Sequence, residues 1–176
     1  MFNAEKEKTS FKLVIVRPHK ILLIKKNFFE FSFNDDVDND EETIPDFEKF
    51  KSLNAAEQYY LADIYNWDDG PIVLQWIINS PKCDKGTACK IFWNAEPDYY
   101  YDFTAETIDE YEKDVWNLLQ SIVKRFKAND FAKSRFKFIP TEEGYKTDWP
   151  TKYDIWEIPA ELKNGVNGRK PFGFGL

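Results

Sequence analysis

Residues 104–127 read TAETIDEYEKDVWNLLQSIVKRFK, and their periodicity decides the fold class. Ile108, Tyr111, Val115, Leu118, Leu119, Ile122 and Phe126 recur at steps of three and four, which gathers them on one face of a helix. Glu106, Asp109 and Glu110 come early and Lys124, Arg125 and Lys127 late, so each set opposes the partial charge at its end of the backbone dipole. The spacing predicts a helix from Thr104 to Lys127, the longest in the chain. Upstream the same period continues in shorter pieces. Asn54-Ala-Ala-Glu57 has the form of an N-cap with glutamate at the third helical position, and Tyr60, Leu61, Ile64 and Tyr65 follow at helical spacing. Asn66-Trp67-Asp68-Asp69-Gly70-Pro71 breaks that helix and opens another, capped by Asp68 or Asp69 with Pro71 in its first turn. Ile72, Val73, Trp76 and Ile77 form its apolar stripe, and Ser80-Pro81-Lys82 stops it. Asp84 caps the next helix, which carries Ala88, Ile91, Phe92 and Ala95 and ends at Pro97.

Nearer the N-terminus the pattern changes. Residues 11–16 and 21–26 are runs of β-favouring residues separated by Arg17-Pro18-His19-Lys20, a hairpin signature. Phe29, Phe31 and Phe33 then alternate with polar residues, as in a half-buried strand. Residues 34–52 are an acidic connector with little regular structure, tethered at its end by Phe47 and Phe50. Beyond residue 128 the signal weakens. Residues 135–139 suit a short strand, 140–150 a loop, and Ile155-Trp156-Glu157-Ile158 precedes Pro159 and a turn of helix. The glycine-rich tail, residues 164–176, is expected to pack loosely. One domain over residues 1–176 is expected: a β-rich segment (1–33), the connector (34–52), a helical core (53–163) and the tail. The fold class expected is α+β, predominantly α, with a bundle-like helical core and a small N-terminal β-hairpin.

Charge and composition narrow the function. Sixteen Phe, nine Tyr and six Trp are a heavy aromatic load, enough for a large core and for surface anchors besides. The formal net charge is −7 and is unevenly placed. Eight acids (Asp35, Asp36, Asp38, Asp40, Glu41, Glu42, Asp46, Glu48) fall within residues 35–48, and eight more, against Lys113, within 96–114. Localised negative fields disfavour nucleic acid and suit a basic protein partner. The longest apolar patches, 13–16 and 21–24, fall far short of the ~20 residues of a membrane-spanning helix, so no membrane association is expected. Without a visible signal peptide, and with Cys83 and Cys89 reading as partly buried free thiols in a reducing compartment, a cytoplasmic location is expected.

The chemical motifs are few. Asp36, Asp38 and Asp40 match the first alternate ligands of a calcium loop, but Glu41 stands where the sharp turn needs glycine and Phe47 where the bidentate glutamate belongs. His19 is the single histidine and sits in the expected turn after Pro18, without a nucleophile beside it in sequence. Asp68 and Asp69 are adjacent carboxylates, better placed as helix caps than as an acid/base pair. No phosphate-binding glycine loop and no nucleophile elbow is present. No catalytic residue, metal ligand or cofactor is therefore assigned.

Trp67-Asp68-Asp69-Gly70, the run Trp76-Ile-Ile-Asn-Ser-Pro-Lys-Cys-Asp-Lys-Gly-Thr-Ala88, and Phe92-Trp93 with Pro97-Asp98-Tyr99-Tyr100 together resemble a bacterial family called domain of unknown function 4274. The resemblance covers roughly residues 54–110. Cys89 and Lys90 depart from it, standing where apolar residues are expected. The resemblance implies a small bacterial helical module without catalytic residues to carry over. Such modules are similar in size and character to immunity proteins, which neutralise secreted toxins. The expected function is thus a non-enzymatic, protein-binding inhibitor of a basic toxin domain, such as a nuclease. Asp35, Asp36, Asp38, Asp40, Glu41, Glu42, Asp98, Tyr99, Tyr100 and Asp102 are its candidate contact residues. The alternatives are a carboxylate- or metal-dependent hydrolase, in which Asp68 or Asp69 would converge with Asp84, or a structural subunit of a complex.

Overall fold

The three-dimensional structure is a computed structural model that describes residues 15–28, 44–148 and 156–169. The strand expected over Phe29, Phe31 and Phe33 and the acids Asp35 to Glu42 lie outside those residues. Among the described residues the architecture is predominantly helical: α1 (Pro18–Asn27), α2 (Phe47–Lys51), α3 (Ala55–Ile64), α4 (Ile72–Asn79), α5 (Lys85–Asn94), α6 (Pro97–Tyr100), α7 (Lys113–Lys127) and α8 (Ala160–Asn164). Single 3₁₀ turns occupy Trp67–Asp69 and Pro140–Glu143.

The centre of the molecule is α5, whose residues from Lys85 to Trp93 are all buried except Lys90. It packs against α3, α4 and α7, and the C-terminal segment closes over it. There the Trp93 indole donates to the Leu162 carbonyl at 2.9 Å, and the Trp156 indole to the Phe103 carbonyl at 3.0 Å. Both rings are almost wholly buried. A side chain of that size contributes ~2–3 kcal/mol by leaving water, provided that its N–H keeps a partner. Both do.

Several expectations hold. Asn54 accepts from the Ala56 and Glu57 amides while Glu57 accepts from the Asn54 amide, a complete capping box. The next helices end at Ser80 and begin at Asp84, and both cysteines are free thiols, though fully rather than partly buried.

Several expectations are corrected. The end of the 34–52 connector, expected to have little regular structure, is the helix α2, capped by Asp46, whose side chain accepts from the Lys49 amide. Residues 21–26 are not the second strand of a hairpin but the body of α1. Pro18 occupies its first turn, and Ile21, Ile24 and Phe28 point inward at steps of three and four; the helix period, not β propensity, buries these residues. The long helix begins at Lys113, not Thr104. Side chains hold the preceding stretch in local turns: Thr107 Oγ1 accepts from the Thr104 amide at 2.8 Å and Asp109 Oδ1 from the Tyr111 amide at 3.1 Å. Such bonds compete with the helical ladder, and Tyr111, expected on the buried face, is 95% exposed. Neither Asp68 nor Asp69 caps α4, whose N-cap is Pro71 without a side-chain bond. Both lie in the 3₁₀ turn, where the Asn66 side chain accepts from the Asp68 amide. Finally, the tail is anchored as far as Arg169. Phe138 and Val166 exchange backbone bonds of 2.9 and 2.8 Å, and the Arg169 amide donates to the Arg135 carbonyl at 2.8 Å. These are isolated bridges rather than the strand expected at 135–139.

Candidate functional site: an acidic, aromatic cleft

The motif residues between α4 and α5 form a structural lock. Asp84 caps α5 by accepting from the Gly86 amide at 3.0 Å, and it also accepts from the amides of Arg135 (2.8 Å) and Phe136 (3.2 Å). Burial pushes its carboxyl above the usual range, and the three N–H groups work against that push. Gly86 lies in the first turn of α5, where a Cβ would stand 2.1 Å from the Phe136 carbonyl oxygen. The lock therefore staples the 133–138 segment across the helix start, and it consumes Asp84. That carboxylate is fully buried and faces no solvent cleft. Among the described residues no three His, Cys, Asp or Glu side chains group to hold a metal ion.

With this geometry the motifs of the resemblance become parts of one packed unit, Trp67 and Trp76 lying against the core that holds Cys83, Ala88, Phe92 and Tyr100. Residues 54–127 match the family model of a Domain of unknown function (DUF4274). No curated protein and no solved structure matches the chain. Among the described residues of the chain, no helix is long and apolar enough to cross a membrane.

The segment that matches this family model contains an open cleft of about 580 Å³ lined by Trp67, Asn94, Ala95, Glu96, Tyr99, Tyr100, Glu112 and Val115. Each wall has a local cause. Glu96 holds a left-handed backbone, φ 50°, between the end of α5 and Pro97. Its amide donates to the Trp93 carbonyl and its carbonyl accepts from the Tyr99 amide. Glu112 precedes α7, and its Oε2 accepts the Tyr100 hydroxyl at 2.6 Å. Burial raises the Tyr100 phenol well above its ordinary value, and the bond to Glu112 together with the charges of Glu112 and Glu96 raises it further. Tyr100 therefore stays protonated and fixes one oxygen of Glu112, while both carboxylates act on the same point.

The expected contact residues are divided by the structure. Tyr99 is 55% exposed and stands edge-on to Tyr100 at 4.9 Å, while Tyr100 is only 6% exposed and is spent on Glu112. Asp98 and Asp102 are exposed beside the cleft. Glu96, Glu112 and Trp67 were not singled out from sequence as contact residues; their convergence depends on the Trp67–Asp69 turn meeting α5, α6 and α7, which no local pattern encodes. Of the eight acids between residues 96 and 114, only Glu110 has a basic partner, Lys113, among the described residues. Elsewhere exposed acids such as Glu48, Asp63, Glu142 and Glu161 are ion-paired.

Proposed function

We propose that the protein is a non-enzymatic inhibitor, an immunity protein that binds a basic toxin domain, with the cleft between Glu96 and Glu112 in its contact face. The observation that carries this reading is the unneutralised charge of residues 96–114 around an exposed aromatic ring. Unpaired carboxylates steer a basic partner and add specificity, while tyrosine and tryptophan supply area at low entropic cost. The lysines and arginines of a nuclease active site have the matching sign. The acids Asp35, Asp36, Asp38, Asp40, Glu41 and Glu42 add negative charge that would attract the same basic partner, and neutralising all six should slow association about tenfold at low salt. The decisive experiment is co-expression: a basic protein captured by this chain should be lethal alone and harmless beside it. A captured partner whose toxicity this chain does not relieve would refute the inhibitor reading.

A further inference from the structure

Where this protein holds one of its own cations over an aromatic face, it sets a carboxylate beside it. Lys90 lies over the Tyr59 ring and pairs with Asp63, and Arg125 lies over the Phe131 ring and pairs with Asp130. Lys51 and Lys85 are held in the same way. The negative face of the ring attracts the cation, and the carboxylate fixes its position. The acidic cleft has both ingredients: Trp67 and Tyr99 give it aromatic walls, and Glu96 and Glu112 line it. Here, however, no lysine or arginine among the described residues lies over either ring or pairs with either acid.

These groups are open to a ligand. Tyr99 and Glu96 are exposed, and Trp67 and Glu112 are half-buried. The Tyr100 hydroxyl occupies Oε2 of Glu112, whereas Oε1 accepts no bond and is not buried. That bond also holds the carboxylate in place before a ligand arrives, so less freedom is lost on binding.

We propose that this cleft seats the guanidinium of an arginine side chain from the basic partner, a step that rests on the inhibitor reading. Glu112 Oε1 and the Glu96 carboxylate accept its N–H groups, and its flat face packs on the aromatic wall. Arginine suits the cleft better than lysine. Its planar fork serves two separate carboxylates while one face stays on a ring, and it is more weakly hydrated than an ammonium, which matters beside Ala95 and Val115.

The probe is N-acetyl-arginine amide, titrated into the full chain at constant ionic strength while the Trp67 indole resonance is followed. N-acetyl-citrulline amide, nearly the same shape without the charge, and N-acetyl-lysine amide are the comparisons. The expected result is saturable movement with the arginine compound, weaker binding of the lysine compound, and binding of the citrulline compound about tenfold weaker, as the loss of charge-assisted hydrogen bonds implies. Glu112→Gln keeps an acceptor for Tyr100 and should weaken the arginine compound about tenfold. Glu106→Gln, which removes a charge from the same acidic stretch but not from the lining, should leave its binding unchanged. The proposal is overturned by no saturable movement through the millimolar range, or by a citrulline or lysine compound that binds as well as the arginine one. Equal effects of Glu112→Gln and Glu106→Gln would overturn it too, since the acids would then act only as diffuse charge. The titration needs no partner, so its failure strikes the arginine seat alone, whereas toxicity unrelieved on co-expression strikes the inhibitor reading.

Discussion

Asp84 and Gly86 carry more of the structure than their size suggests. Asp84 was legible as a helix cap because its partner, Gly86, is two residues away. Its bonds to the amides of Arg135 and Phe136 were not, since nothing near residue 84 announces a segment fifty residues later. Nor does anything near Gly86 announce why glycine is needed there: the structure requires an absent Cβ, not a positive φ. Gly86→Ala should therefore destabilise the protein by about 3 kcal/mol, because the new carbon meets a backbone carbonyl that cannot swing aside. Chemical denaturation checks this, and an unchanged midpoint would mean that residues 133–138 do not cross α5 there. The thiols allow a second test at this scale. Burial pushes Cys83 and Cys89 up to about 12, so neither holds thiolate near neutrality. A disulfide-exchange reagent should label neither in the native protein and both after unfolding.

Among the elements, α1 and the start of α7 show where local reading stopped. The residues of α1 are as rich in isoleucine and leucine as a strand, and periods of two and of three to four are hard to separate in six residues. Pro18 was the better signal, since it suits a helix start and was taken for a turn residue. Before α7, helical spacing was present in Ile108 and Tyr111, but Thr104, Thr107 and Asp109 offer side-chain bonds that favour turns. Hydrogen exchange should separate the two stretches: amides 117–127 well protected, amides 105–111 fast. Uniform protection from residue 108 onward would restore the longer helix.

The capping box of α3 also ties α1 to the core, because Arg17 Nε and Nη2 donate to Glu57 at 2.6 and 2.7 Å. Burial pushes the Glu57 carboxyl up, yet the bonds from Arg17 and Asn54 outweigh it and leave the group below its ordinary 4.5. A carboxyl lowered on folding adds stability above its unfolded value, and loses it as pH falls through the folded one. Melting temperature should thus drop as pH falls below about 4.5, and Glu57→Gln, less stable at neutrality, should drop less over the same window. Parallel curves would show that Glu57 does not govern the acid response.

On the scale of the whole molecule, the helical core from residue 54 onward was readable because its caps and breakers are local. The acidic character of residues 96–114 was readable from composition. What composition could not supply was geometry: Tyr100 turns inward, and Glu96, Glu112 and Trp67 come together only when the Trp67–Asp69 turn packs with α5, α6 and α7. The functional account rests on that face binding a basic partner. Its most direct test is affinity capture at low salt with two baits, the unaltered chain and a variant with Glu96→Gln, Asp98→Asn, Asp102→Asn and Glu112→Gln. Glu96, Asp98 and Asp102 are exposed, and Glu112→Gln keeps an amide oxygen that can accept the Tyr100 hydroxyl, so the melting temperature should fall only slightly. The account predicts that the unaltered chain retains a basic protein in stoichiometric amount, released by moderate salt, and that the variant does not retain it. A partner held equally by both baits, or one that is itself acidic, would contradict it.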